Sequence, residues 1–153
     1  MDMVELIEPD RVIARLRAPA KPRLLTELAR RASLALGLSA DAILEALDQR
    51  EALGSTGIGQ GIAVPHARLA GLPHPFGLFA RLEHPIDFAA IDGAPVDLVF
   101  LLLTPAAADK AHLAALACVS RRLRDRAVAE GLRTVKDSRT LYDRLVSPAA
   151  VQP

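Results

Sequence analysis

The chemistry this chain can offer gathers around a histidine on stiff backbone. Four glycines, Gly54, Gly57, Gly59 and Gly61, precede the apolar triplet Ile62-Ala63-Val64 and then Pro65-His66. Glycine at this density signals backbone in conformations that side chains forbid, or backbone that something must approach closely. The triplet is long enough for one short buried strand. Pro65 fixes its own φ and biases Val64 towards extended geometry, so the His66 imidazole leaves a rigid strand end. The residues alone leave two readings: a ring that merely caps a strand after a turn, or a nucleophile.

Other groups sharpen that choice. If Asp109 caps a helix, His112 falls in its first turn, where free backbone N–H groups and the positive dipole end favour an anion. That setting keeps an imidazole neutral until an anion arrives; the alternative is that His112 only helps to cap. Arg50 arrives at a helix end just ahead of the glycines. The hydroxyls of Ser55 and Thr56 either contact an anion or simply close the turn. A nucleophilic neutral imidazole, a second histidine at a helix start and an arginine together suit the acceptance of a phosphoryl group on nitrogen. The transferred group spreads negative charge over its oxygens, so positioned donors and positive charge supply the stabilisation. Arginine offers those oxygens a planar fork.

These residues need a scaffold, and the sequence predicts an α/β one. Residues 4–7 suit one helical turn ended by Pro9. Alternation over 11–17, with Val12, Ala14 and Leu16 on one face, predicts a half-buried strand. Helical spacing of Leu24, Leu25, Leu28, Ala32, Ala35 and Leu36 follows Pro22 and stops at Gly37. Ser39 is placed to cap a second helix that buries Ile43, Leu44 and Leu47 and delivers Arg50. After His66, 69–75 reads as a loop, 76–82 as a strand, 85–93 as turn-like and 96–104 as a central strand covered on both faces. Asp109 begins a third helix with a predicted buried stripe of Leu113, Leu116, Ala117, Ser120 and Leu123, and shorter helices are expected over 125–132 and 140–146. The arginines of 121–126 read as a solvated helix end. The sum is one domain over 1–147, a mixed sheet with helices on both faces, and a frayed tail over 148–153.

Composition excludes several classes of function. The 153 residues are 51% hydrophobic but only 3% aromatic, and the formal charge of +1 gives no support to nucleic-acid binding or to a membrane-surface role. The single cysteine, Cys118, excludes an internal disulfide and fits a reducing compartment; within the third helix it reads as a small core residue. No basic-then-apolar leader opens the sequence, and the apolar run 98–103 is too short to cross a bilayer, so a cytoplasmic protein without membrane insertion is expected. Ile62 stands where a dinucleotide fingerprint needs a third Gly or Ala, no Gly-Lys-Ser/Thr follows, and neither HExxH nor Cys-x-x-Cys occurs. His74 and His84 read as exposed, His74 with some prospect of lining a partner surface.

The run Arg50-Glu51…Gly54-Ser55-Thr56-Gly57-Ile58-Gly59…Gly61-Ile62-Ala63-Val64-Pro65-His66 resembles the active-site signature of the enzyme IIA components of the bacterial phosphoenolpyruvate-dependent phosphotransferase system, fructose/mannitol type. The likeness extends through nearly the whole chain. The segments Pro85-Ile86-Asp87-Phe88…Ile91-Asp92-Gly93…Pro95-Val96-Asp97-Leu98 and Leu102-Leu103-Thr104-Pro105 read most like its nitrogen-regulatory branch. The resemblance implies a three-layer α/β/α sandwich with a small mixed sheet. It implies phosphorylation of His66, with His112 and Arg50 stabilising the phosphate. Ala67-Arg68 stands where glycine is frequent in the family, and Arg68 could add positive charge. No cofactor or metal is implied. The donor would be a histidine phosphocarrier protein charged by an enzyme I. The downstream partner would be a regulated kinase or potassium transporter, or, in sugar transport, a cysteine on a IIB domain. The chain would then be a phosphocarrier, a transferase component rather than an independent turnover enzyme. An apolar rim of Leu69, Leu72 and Phe76 is expected to dock partners. Two rival classes remain open: an interaction module that is never phosphorylated, and a histidine-dependent metal hydrolase.

Overall fold

The computed structural model describes residues 1–107 and 109–147; the tail expected over 148–153 lies outside the described residues. Two 3-10 turns, Met3–Glu5 and Pro9–Arg11, lead into β1 (Val12–Leu16). Then come α1 (Lys21–Leu36), α2 (Ala40–Ala52), the short strands β2 (Gly57–Gly59), β3 (Ile62–Ala63) and β4 (His66–Leu69), and the long strands β5 (Phe76–Ile86) and β6 (Val96–Pro105). Three helices close the described chain: α3 (Asp109–Arg124), α4 (Arg126–Thr134) and α5 (Ser138–Val146).

The helix limits follow local chemistry. Pro22 lies in the first turn of α1, and Gly37 ends it at φ +72° with its N–H on the Ser33 carbonyl. The Ser39 side chain accepts from the Ala42 N–H at 3.2 Å and so caps α2. Asp125 and Asp137 cap α4 and α5 in the same way.

The sheet is mixed, in the order β1-β5-β6-β3-β2, with β4 also paired to β6. β1 is parallel to β5, β5 antiparallel to β6, and β3 and β4 both run parallel to β6. Helices cover both faces, giving three layers. Alternation along β6 divides the core: Val99, Leu101 and Leu103 pack towards α1 and α2, whereas Leu98, Phe100 and Leu102 pack towards α3, α4 and α5. Each side chain so buried contributes roughly 1.5–3 kcal/mol of transfer free energy.

Several sequence expectations need correction. The strand expected over 76–82 continues to Ile86 through Pro85, which is tolerated because the ladder to β6 is irregular between Arg81 and Ile86. Leu69 ends a strand rather than opening a loop. The buried face of α3 is His112, Ala115, Val119 and Leu123; Leu113 is 63% exposed. Several alanines give this helix two weakly apolar faces, and packing on β6 selected the one that carries His112. Nor are the arginines after residue 120 merely solvated: Arg122 Nε donates to the Leu145 carbonyl at 2.9 Å and its Nη2 to the Arg144 carbonyl at 2.8 Å, tying α3 to the end of α5.

Candidate active site

Among the described residues, the buried polar or charged side chains are Thr56, His66, Thr104 and His112. Buried polar groups are costly unless paired, and three of these, His66, Thr104 and His112, come together in the fold and mark a place where something other than packing was selected.

The glycine stretch builds the platform. β2 and β3 form an antiparallel hairpin whose turn holds Gln60 at φ +59° and Gly61 at φ +81°. A side chain at Gly61 would be strained and would meet the Arg133–Asp97 ion pair, with Asp97 Oδ1 2.9 Å from an added Cβ. Gly57 serves a different purpose, since an added Cβ there would lie 2.8 Å from the Cβ of Ala90. Only glycine lets the 57 and 90 backbones touch. β3 then runs along β6 until Pro65, which has no N–H to give the ladder. The Pro65 carbonyl accepts from the Leu102 N–H at 3.0 Å, and pairing resumes at once with His66 opposite Leu102. His66 is therefore the first residue of its own strand, held between proline and sheet.

Alternation then aims the side chains. Ala67 and Leu69 of β4 pack towards α1 and α2, which turns His66 and Arg68 to the opposite face. Thr104, two residues beyond Leu102 on β6, shares that face and meets His112 from α3: its Oγ1 lies 2.6 Å from His112 Nδ1. The two imidazole rings stand 5.6 Å apart between centroids, tilted by 46°. Arg50 reaches in from the last turn of α2. Its Nε donates to His66 Nε2 at 3.2 Å, and its Nη1 is anchored on the Gly54 carbonyl at 2.8 Å. An open pocket of about 380 Å³ is lined by Arg50, His66, Arg68 and His112, together with Gln49 and Leu53.

The electronic state of His66 follows from its partners. Nδ1 lies 2.8 Å from the Val64 carbonyl, an acceptor only, so Nδ1 carries the proton and Nε2 the lone pair. Both rings titrate below the ordinary histidine value. For His66 burial is the main cause and Arg50 adds to it, against the Val64 carbonyl and Glu51. For His112 burial again leads, followed by Arg68 and His66, with Asp109 opposing. Two neutral imidazoles thus share a pocket with two guanidinium groups, an arrangement suited to nucleophilic attack by nitrogen and to binding an anion.

Some expected participants stand elsewhere. Neither Ser55 nor Thr56 lines the pocket. The Ser55 hydroxyl donates to the Phe88 carbonyl at 2.9 Å and accepts from the Gly57 N–H. The Thr56 hydroxyl donates to Glu51, which also takes the Thr56 N–H at 3.1 Å. Both therefore fasten the loop. Leu69, Leu72 and Phe76 belong to the core, at 7%, 5% and 1% exposure, so they form no outer rim. The exposed apolar group that lines the pocket is instead Leu53, 85% exposed just past the end of α2, while the exposed Leu113 follows His112 on α3. Asp109 is the first residue of α3 rather than its cap, and its carboxylate pairs with Arg68.

Sequence reasoning missed Thr104, Glu51 and Lys21. Lys21 Nζ sits 2.9 Å from Glu51 Oε1 and 4.3 Å from the centre of the Phe88 ring, binding α1 to α2 beneath the glycine loop. The signal for Glu51 was adjacency to Arg50; nothing local marked Lys21. Among the described residues, no three His, Cys, Asp or Glu side chains converge as a metal site would require, and no helix is long and apolar enough to cross a membrane.

Comparison with known proteins gives a consistent picture. Residues 5–147 match the family model described as phosphoenolpyruvate-dependent sugar phosphotransferase system, EIIA 2. A nitrogen regulatory protein of Bradyrhizobium diazoefficiens is 45% identical over 150 residues, covering 98% of each chain. The fructose-specific EIIA component of Haloferax volcanii is 41% identical over 105 residues, covering 69% of this chain and 68% of that one. The crystal structure of the nitrogen regulatory protein IIA-Ntr from Neisseria meningitidis superposes with a TM-score of 0.87 at 35% identity, over 92% of this chain and 97% of that one.

Proposed function

The chain belongs to the EIIA 2 family of the phosphoenolpyruvate-dependent phosphotransferase system, and from that premise we propose that it is a phosphohistidine carrier whose acceptor atom is His66 Nε2. The observation that carries this reading is the division of labour between the two ring nitrogens: Nδ1 is committed to the Val64 carbonyl, while Nε2 faces Arg50 with its lone pair.

The Nε2 lone pair attacks the phosphorus of a phosphohistidine on the donor protein; the donor's P–N bond breaks, and its electron pair returns to the donor ring. His66 keeps its Nδ1 proton, so the phosphorylated ring carries formal positive charge, which the Val64 carbonyl stabilises as acceptor. The Arg50 guanidinium moves from the ring nitrogen to the phosphoryl oxygens, and its anchorage on Gly54 keeps that movement short. His112 donates from across the pocket, and Arg68 adds charge at the rim.

The donor fitting this chemistry is a histidine phosphocarrier protein, in the cytoplasm, docking on Leu53 and Leu113. The downstream role we favour is regulatory: the dianionic phosphate next to an apolar rim weakens one interface and favours another, so that partner kinases or transporters respond to the phosphorylation state. Similarity to nitrogen regulatory proteins over nearly the full chain supports it. The Haloferax volcanii relative supports a second reading, delivery to a IIB cysteine in sugar uptake.

Incubation with labelled phosphoenolpyruvate, enzyme I and carrier protein tests the proposal. The expected label is acid-labile, base-stable and absent from His66→Ala. Label persisting in that variant refutes the assignment to His66, and no label on the wild-type chain favours a pure interaction module. Onward transfer to a IIB cysteine would move the conclusion from regulation to transport.

A further inference from the structure

We propose that Thr104 is a positioning residue that fixes the proton of His112 on Nε2, making that ring a neutral hydrogen-bond donor aimed into the pocket. The inference deepens the phosphocarrier reading and rests on it only for its kinetic consequence. Thr104 is fully buried, on the strand that also carries the pairing partner of His66. Among the described residues its hydroxyl has one hydrogen-bond partner, His112 Nδ1 at 2.6 Å. Two arrangements could give that distance. If Nδ1–H donated to Oγ1, the threonine proton would be buried without an acceptor, at the full desolvation cost of a lost donor. If the hydroxyl donates to Nδ1, every proton in the pair is used, and only a spare oxygen lone pair goes unmet, which folded proteins tolerate more readily.

The second arrangement places the histidine proton on Nε2. Among the described residues that atom has no protein partner, yet no buried side-chain nitrogen or oxygen among them lacks one. Nε2 of His112 is therefore reached by solvent, on the pocket side of a ring that is otherwise 7% exposed. The two histidines then hold opposite tautomers 5.6 Å apart: His66 with its lone pair on Nε2, His112 with its proton there. A donor fixed in this way needs no prior protonation to bind a phosphoryl oxygen.

Nitrogen-15 NMR of the imidazoles in the full chain at neutral pH tests the tautomer without any phosphoryl donor. The expected result is a protonated Nε2 and an unprotonated Nδ1 on His112; a protonated Nδ1 overturns the proposal. Transfer kinetics then test the role. Thr104→Val should slow phosphorylation of His66 about tenfold, and Thr104→Ser should restore it. In a His112→Ala background, Thr104→Val should have no further effect. Wild-type rates in Thr104→Val, or an equal slowing in the absence of His112, would show that the threonine acts only through packing. Should Thr104→Val fail to fold, failure of Thr104→Ser to match the wild-type tautomer and rate would also overturn it. If the wild-type chain takes no label, the phosphocarrier reading fails, while the ring spectrum still decides the tautomer.

Discussion

The two histidines of the pocket are placed by opposite means. His66 is fastened at both nitrogens, by its own strand through the Val64 carbonyl and by Arg50 from α2. Among the described residues His112 is fastened at one, by Thr104. The first ring comes from backbone stiffened by Pro65 and a sheet ladder, the second from a helix packed on β6. A group that forms a covalent bond must be held in line with little freedom, whereas a group that only donates to oxygens tolerates more. If that contrast is right, the two sites should differ in how much they lose on substitution.

The sharpest separation is expected at Arg50. Its guanidinium donates to His66 Nε2 and, in the proposed transfer, would pass to the phosphoryl oxygens, so Arg50→Ala should slow phosphorylation of His66 by roughly 10²- to 10³-fold, the scale for losing a preorganised donor. Arg50→Lys should recover only part of this, because a compact ammonium lacks the planar fork whose separate nitrogens reach the Gly54 carbonyl and the ring or phosphate at once. His112→Ala should cost less, about 10- to 10²-fold, corresponding to one lost hydrogen bond to a charged group. Rapid-quench measurement of the label gives both rates. A larger loss at His112 than at Arg50 would invert the comparison.

Acid should act on both rings in the same direction. Each is held below the ordinary value of 6.5, chiefly by burial. Nucleophilic attack needs an unprotonated Nε2 on His66, so transfer should stay flat from alkaline pH down to 6.5 and fall only as the depressed value is crossed. Stability follows the same sign. The unfolded rings take up protons first, so the contribution from neutral burial is intact above about 6.5 and is lost as pH falls towards the folded values. Urea midpoints for the wild-type chain and His66→Ala at about pH 7.5 and 5.5 check this; the variant should lose less of its midpoint over the interval.

How much of this the sequence could tell depends on how local each cause is. His66 and Arg50 stood out as candidates because glycine density, a Pro-His pair and a charged residue at a helix end are contiguous signals, and the structure brings the two side chains together. A mixed sheet with helices on both faces was legible in the same way, from helix spacing and one long apolar strand, whereas the three-layer sandwich was implied by the family resemblance. The rim was not. Leu69 is buried because β4, only four residues long, pairs with a strand far downstream in the chain, and a run so short shows no alternation of its own. The face of α3 was missed because the apolar sets starting at 112 and at 113 fit a 3.6-residue period about equally well, and only contact with β6 selects between them. Thr104 was invisible for a related reason. At the end of an apolar strand it reads as one more β-branched residue, and its role exists only once α3 lays His112 against it.

The smallest effect should be at Arg68, and it tests whether the contrast between tightly and loosely held groups extends to the pocket rim. Arg68 and Asp109 form an ion pair whose side chains are 40% and 75% exposed. Exposed pairs of this kind are worth about 0–1 kcal/mol and are screened by salt. With Asp109 as its resting partner, Arg68 would, in the proposed transfer, trade one carboxylate for a phosphoryl group, so its net gain is a difference between two similar attractions. Arg68→Ala should therefore slow transfer about threefold or less at low ionic strength and almost imperceptibly at high salt. Asp109→Asn, which frees the arginine, should speed transfer by a similarly small factor. A loss at Arg68 as large as that at Arg50, persisting in high salt, would mean that the rim arginine swings fully into the pocket and holds the phosphate as tightly as the group anchored on Gly54.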